Sequence, residues 1–171
     1  EIQVYNEHNS NRIHVANIRQ RDGRNARLTD ILLTFEKMNK GLPEKKRKQT
    51  IVYFNGRNKA IDAAREFSGA LGDAGIKNDD LLDILAKDIR QEVHGDYFLA
   101  DMIRKGIAFH IGYLPASIRA RIETLFQDGH ITIMFCTSTL LEGVNLPADN
   151  LFITDNKIFR SEMEPVDFRN L

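Results

Sequence analysis

The sequence predicts an α/β fold with a mainly parallel sheet that helices cover on both faces. From residue 50 onwards, short apolar runs suited to strands alternate with segments of helical periodicity, which is typical of parallel sheets. The runs are continuously apolar, as expected for strands that are buried on both faces. With 171 residues, 42% of them apolar and 28% charged, the chain has the size and composition of one globular domain.

The beginning of the chain is its least regular part. Short strands are predicted within residues 2–15, and a helix is predicted over residues 29–39. Thr29 suits the amino-terminal cap of that helix because its hydroxyl can accept a hydrogen bond from a first-turn amide. We interpret residues 1–49 as a lead-in that packs on, or links to, a domain formed by residues 50–171.

Strands and helices then alternate with clear boundaries. Strands are predicted at residues 51–54, 107–111, 131–136 and 151–153. The buried face of the helix after the first of these strands is marked by apolar residues at helical spacing: Ile61, Ala64, Phe67 and Leu71. Asn78, Asp79 and Asp80 open the next helix. Gly106 ends a third, short helix, and Gly129 ends a fourth.

Three turns leave the carboxyl ends of the predicted strands, at residues 55–58, 110–117 and 137–147. In open parallel sheets, ligands bind in the crevice beyond these ends. The same turns hold most of the unusual polar residues of the chain. We therefore expect a binding site where the three turns meet.

Composition excludes several classes of protein. Cys136 is the single cysteine, which rules out an intrachain disulfide and a multi-cysteine metal site and fits a cytoplasmic setting. It lies in an apolar strand, where a cysteine usually behaves as an inert apolar residue. No apolar run approaches the roughly 18 residues of a membrane span. A formal net charge of zero argues against a protein that coats nucleic acid through bulk charge.

The segment at residues 135–148 is the richest in candidate ligand-binding groups. Three hydroxyl residues follow its buried strand directly: Thr137, Ser138 and Thr139. Their hydroxyls and amides suit a phosphate at the start of a helix. Gly143 allows close approach of a ligand, and Asn145 can both donate and accept hydrogen bonds. Composition alone favours the simpler interpretation, a hydroxyl-capped turn.

The other two turns carry further candidates. Asn55, Gly56 and Arg57 stand where a helix begins, so that its amides and the arginine charge suit a phosphate. A capped turn without a ligand explains them equally well. His110 and Gly112 stand at the exit of the next strand. A lone histidine in such a place is more often a packing residue than a catalyst.

Taken in order, these segments resemble the Ski-like and Hel-like branch of the superfamily 2 helicases. Residues 135–148 (FCTSTLLEGVNLPA) resemble motif V, residues 109–115 (FHIGYLP) resemble the segment before it, and residues 50–57 resemble motif IV. The match covers about residues 50–160. The resemblance implies the second, carboxyl-terminal RecA-like domain of a DExD/H-box motor, with a three-layer sandwich fold.

The resemblance also implies roles for particular residues. It places these residues at the nucleic-acid strand: Asn55, Gly56, Arg57, His110, Gly112, Thr137, Ser138 and Thr139. Within that set, Thr137 binds a strand phosphate and its two neighbours support the turn. Gly143 and Asn145 face ATP across the cleft between the two motor domains. DEAD-box relatives usually have aspartate where Asn145 stands.

Other parts of such a motor are expected outside the chain. Neither a Gly-x-x-x-x-Gly-Lys-Ser/Thr phosphate loop nor an Asp-Glu-x-His magnesium box occurs, and both are expected in a first motor domain before Glu1. Motif VI, with its catalytic arginines, is expected after Leu171, and residues 169–171 are its leading edge. ATP with Mg²⁺ is therefore expected only in the full-length protein. We expect the isolated chain to bind neither and to be an inactive ATPase.

The partners implied are single-stranded or unwinding DNA or RNA and the N-terminal RecA-like domain of the same protein, without a membrane. Two alternatives stay open. The chain is also compatible with a RecA-like nucleic-acid-binding or regulatory module that does not unwind, or with an unrelated α/β enzyme that has its own site at the strand ends. Tight binding of a small metabolite, without binding of single strands, would favour the last of these.

Overall fold

The computed structural model describes residues 2–6, 11–16, 24–43, 46–95, 97–140, 146–155, 157–158 and 161–162. Two antiparallel strands, β1 (Ile2–Asn6) and β2 (Asn11–Ala16), precede helix α1 (Arg24–Lys40). The main body follows as β3 (Thr50–Tyr53), α2 (Arg57–Leu71), α3 (Asp80–Glu92), α4 (Leu99–Ile103), β4 (Ile107–His110), α5 (Ala116–Gln127), β5 (Ile133–Cys136) and β6 (Asn150–Ile153). A short antiparallel pair, β7 (Lys157–Ile158) and β8 (Ser161–Glu162), comes last.

The central sheet confirms the predicted α/β fold of the RecA-like kind. Its four strands are parallel and lie in the order β4–β5–β3–β6. Every residue of β3, β4 and β5 is buried, because helices cover both faces of these strands. Strand β6 lies at the edge of the sheet, and its burial alternates along the strand.

The register of the sheet aligns the ends of its strands. Tyr53 at the end of β3 pairs with Cys136 at the end of β5, which pairs in turn with His110 at the end of β4. The amide of Phe54 then donates to the carbonyl of Cys136 over 2.9 Å. The turns that follow these three strands therefore leave the sheet side by side.

Helix α2 packs directly on the middle of the sheet. Its buried face is made mostly of small side chains: Ala60, Ala63, Ala64, Phe67 and Ser68. The helix contacts β4 and β5 as well as α1. Phe67 reaches Phe135 of β5, with 6.2 Å between the ring centroids, and Phe54 stacks on Phe135 at 6.4 Å. This aromatic group forms the centre of the core.

Helix α1 begins earlier than the sequence predicts. It starts at Arg24 and not at Thr29, so that Thr29 lies inside the helix and is only 2% exposed. The predicted cap is therefore wrong. Leu28 and Leu32 are buried in the common core, and Phe35 packs edge-to-face against Phe152 of β6 with 5.6 Å between the ring centroids. Packing against the core thus extends the helix to residues before Thr29, where the local sequence pattern does not predict a helix.

Helix α3 starts where the sequence predicts. The carboxylate of Asp79 accepts hydrogen bonds from the amides of Leu81 and Leu82, at 3.0 and 3.3 Å, and so caps the first turn. Asp79 also lies 2.6 Å from Nδ1 of His130.

Among the helices within the described ranges, none has the length and apolar character needed to cross a bilayer.

Candidate functional site

A cavity of about 370 Å³ opens at the carboxyl edge of the sheet, where the turns after β3, β4 and β5 meet. Its lining comes from all three turns: Tyr53, Phe54, Asn55, Gly56, Arg57, Gly112, Tyr113, Thr137, Ser138 and Thr139. The residues that the family resemblance assigned to contact with a nucleic-acid strand all lie in this lining, apart from His110. The structure therefore brings these residues together in one place.

The amino terminus of α2 forms one wall of the cavity. Gly56 precedes the helix and its carbonyl accepts the first helical hydrogen bond from Ala60 at 3.1 Å. As a glycine, it has no side chain with which to cap the first turn. The amides of residues 57–59 have no carbonyl acceptor within the helix. Together with the positive end of the helix dipole, they favour an anion at this wall.

Gly56 leaves this wall open. A Cβ atom built at this position would meet only the Lys59 side chain, at 4.0 Å, so the fold itself does not require glycine here. The absence of a side chain instead gives a ligand direct access to the helix amides.

Arg57 adds a positive charge to the same wall. Its side chain is exposed, and its guanidinium carbon lies 4.2 Å from the centre of the Tyr113 ring. Within the described ranges, Arg57 forms no ion pair with a carboxylate. Its charge is therefore not neutralised locally and can act on an anionic ligand.

The turn after β5 supplies the hydroxyl groups. Thr137, Ser138 and Thr139 are partly exposed, and the hydroxyls of the two threonines lie 3.3 Å apart. The amide of Leu140 donates to the carbonyl of Thr137 over 3.0 Å, which closes a short 3₁₀ turn. A Cβ at Gly112 would come within 3.2 Å of the Thr139 methyl group, so glycine allows the two turns to touch.

His110 does not line the cavity. It is 2% exposed, and its Nε2 lies 2.6 Å from Oε1 of Glu123 on α5. Its Nδ1 is buried without a hydrogen-bond partner among the described residues. Burial lowers the pKa of His110 below its ordinary value and outweighs the opposing effect of Glu123. This placement supports a packing role and not direct contact with a ligand in the cavity.

The protonation of His110 predicts how stability depends on pH. Because the folded pKa of His110 lies below its ordinary value of 6.5, the unfolded chain binds a proton that the native protein does not. The stabilisation that comes from the neutral His110 imidazole is complete above about pH 6.5. It is lost as the pH falls towards the folded pKa. We expect the free energy of unfolding, measured by urea titration, to fall between about pH 7 and pH 5, by up to about 1.4 kcal/mol for each unit of lowered pKa.

Replacing His110→Gln is the control for that prediction, because glutamine does not titrate. The variant is expected to show a flatter pH dependence of its unfolding free energy over the same range. If both proteins lose stability with the same slope, groups other than His110 carry the effect.

Cys136 lies at the end of β5 beside the cavity but does not take part in it. The side chain is completely buried, and burial raises the pKa of its thiol well above the ordinary range. The thiolate that nucleophilic chemistry needs is therefore not formed near neutral pH. This agrees with an inert apolar role.

Gly143 and Asn145, which the sequence assigns to ATP, lie outside the described residues. Residues 169–171, interpreted as the leading edge of a further motif, lie outside them too. Over the parts of the chain that the structure covers, no group of three histidine, cysteine, aspartate or glutamate side chains is arranged to hold a metal ion.

Two residues of the site were missed by the sequence reasoning. Tyr113 stands at the rim of the cavity, and Arg119 of α5 fixes the turn that carries it. The Arg119 guanidinium donates to the carbonyls of Gly112 and Leu114, at 3.1 and 2.6 Å. An arginine one helical turn after Pro115 was the available signal, because it stands close enough to hydrogen-bond the turn before the helix.

No protein-family model matches the chain. Comparison with individual proteins does find relatives. The DExH-box ATP-dependent RNA helicase DExH12 of Arabidopsis thaliana is 31% identical over 122 residues, which are 67% of this chain and 5% of that protein. The ATP-dependent DNA helicase Hel308 of Pyrobaculum calidifontis is 28% identical over 131 residues, 72% of this chain and 18% of that protein.

A third relative is the U5 small nuclear ribonucleoprotein 200 kDa helicase of Caenorhabditis elegans. It is 31% identical over 124 residues, which are 67% of this chain and 6% of that protein. The chain thus spans only a small part, between 5% and 18%, of the length of these three relatives.

Proposed function

Because this chain belongs to the Ski-like and Hel-like branch of the superfamily 2 helicases, we propose that it is the second RecA-like domain of an ATP-dependent nucleic-acid helicase. Residues 50–171 form this domain, and residues 1–49 are its lead-in. The burial of Leu28 and Leu32 in the common core supports that role for the lead-in. The relatives carry the names of both DNA and RNA helicases, and the proposed substrate is a single strand of either kind.

One observation carries the proposal: three strand-end turns meet at one cavity whose lining includes the start of a helix, a guanidinium and hydroxyl groups. The amino terminus of α2, the Arg57 guanidinium and the hydroxyls of the turn after β5 all line this space. Amides, hydroxyls and a guanidinium hold phosphates without reading bases. The domain therefore grips the sugar–phosphate backbone, and its affinity falls as salt rises.

ATP enters this proposal through residues outside the described ranges. Gly143 and Asn145 are proposed to form one wall of an ATP site shared with an N-terminal RecA-like domain, which supplies the remaining contacts and the Mg²⁺ ligands. ATP held there would supply the energy for the two domains to move relative to each other along the strand. The 171-residue chain alone is proposed to have no ATPase activity.

The substitution Thr137→Ala tests the proposed binding of a strand phosphate. Loss of a hydroxyl that donates to a charged phosphate removes roughly 1.5 kcal/mol or more of binding, so we expect affinity for a single strand to fall about tenfold. The intact protein is titrated with a fluorescent oligonucleotide at two salt concentrations. The fall is expected at both, because the hydroxyl carries no charge.

Thr124→Ala is the matched control for this experiment. Thr124 is exposed on α5, and its hydroxyl donates to the carbonyl of Ala120 over 3.0 Å, away from the cavity. The Thr124→Ala substitution removes the same atoms as Thr137→Ala and is expected to leave the affinity for the single strand unchanged. Equal affinity of the Thr137→Ala variant and the unmodified protein would remove Thr137 from the binding site.

A further inference from the structure

Tyr113 presents its aromatic ring to solvent at the rim of the cavity. The residue is 78% exposed, and no other aromatic side chain of those that the structure describes is among the exposed apolar residues. Placing an apolar ring in water is unfavourable unless something covers it. The proposed phosphate grip does not use this ring.

The backbone on both sides of Tyr113 is fixed. The Arg119 guanidinium holds the carbonyls of Gly112 and Leu114, and the amide of Leu114 donates to the carbonyl of Ile111 over 3.2 Å. The aromatic ring is therefore mounted on an ordered turn. A group that is positioned before its ligand arrives loses little entropy when it binds.

One face of the ring is already occupied. The Arg57 guanidinium lies over it, 4.2 Å from its centre, while an exposure of 78% leaves the opposite face open. Arg57 also stands at the amino terminus of α2, where the phosphate is proposed to bind. A ring open on one face thus lies beside a phosphate-binding wall, and one nucleotide carries both a phosphate and a flat base.

We propose that Tyr113 stacks on a base of the nucleic-acid strand held in the cavity, so that the domain binds bases as well as backbone. This inference rests on the proposed function and adds a base-binding position to it. Every nucleobase has an aromatic face, so the contact tolerates any sequence and adds affinity without selecting one. The Arg57 guanidinium supports the ring from behind.

Strands without bases test this inference directly. The intact protein is titrated with two fluorescent single strands of equal length, one normal and one whose central tract keeps its sugar–phosphate backbone but lacks bases. Stacking on one base predicts that Tyr113→Ala weakens binding of the normal strand about tenfold. The same variant is expected to leave binding of the abasic strand unchanged, and Tyr113→Phe is expected to restore normal affinity.

Ile84→Ala is the control, because Ile84 is 50% exposed on α3 and lies outside the cavity lining. It is expected to change neither affinity. An equal loss on both strands, or no loss on either, overturns the inference. If the unmodified protein binds neither strand, the proposed function itself fails, which is a different result.

A tryptophan at this position gives a second, independent signal. The chain contains no tryptophan, so Tyr113→Trp introduces one fluorophore at the proposed stacking position. Saturation with the normal strand is expected to quench its fluorescence, because the base contacts the indole ring. Unchanged fluorescence at saturation contradicts stacking even where the abasic strand binds too weakly to measure.

Discussion

Replacing Phe135→Ala is expected to lower the free energy of unfolding by about 3–5 kcal/mol. Phe135 is completely buried on β5 and contacts both Phe54 and Phe67, so that its removal leaves a cavity between the sheet and α2. Denaturation in urea, followed by circular dichroism, measures the change. If the dependence of the unfolding free energy on urea concentration is unchanged, the shift in midpoint reports a change in stability.

Tyr113→Ala is the matched control for the stability measurement. It removes an aromatic ring of nearly the same size, but from a position that is 78% exposed. The loss is expected to stay within about 0.5 kcal/mol. If Phe135→Ala costs as little as Tyr113→Ala, Phe135 is not at the centre of the core.

Arg57→Glu is expected to weaken single-strand binding roughly 100-fold at low salt. The substitution removes the proposed charge-assisted hydrogen bond to phosphate and adds a repelling charge, which together would be worth about 3 kcal/mol. The dependence of affinity on salt is also expected to become shallower, by roughly 0.7 in the logarithmic slope for each lost phosphate contact. Titrations at several salt concentrations give both values.

Arg65→Glu provides the matched control for charge. Arg65 lies on the same helix, is also exposed and also stacks on an aromatic ring, with its guanidinium carbon 4.6 Å from the centre of Phe98. It lies outside the cavity lining. Both substitutions change the net charge equally, so similar losses would mean that overall charge, and not the cavity, governs binding.

Local sequence pattern was sufficient to predict the sheet. Continuously apolar strands separated by amphipathic helices require helices on both faces, and the carboxyl ends of such strands lie at one edge. That rule alone brought Asn55, Gly112 and Thr137 together, although they are far apart in the chain. The carboxylate cap at Asp79 was equally visible, because its chemistry is local.

Features that depend on long-range packing were not predicted. The start of α1 was placed at Thr29 because the sequence does not show that the preceding turn packs against the core. The family resemblance assigned His110 to the nucleic-acid strand, whereas its imidazole is buried and lies 2.6 Å from Glu123, thirteen residues later on α5. Tyr113 was not predicted as a site residue, because its proposed role depends on its solvent exposure. Neighbouring residues in the sequence do not reveal that exposure.

The alanine-rich face of α2 has a mechanical consequence. Ala60, Ala63 and Ala64 place small side chains against the sheet, and Phe67 packs on Phe135 of β5. A nucleic-acid strand held at Arg57, as proposed, would therefore be attached to a helix that packs directly on the central sheet. Tension on that strand would be passed through the helix to the sheet.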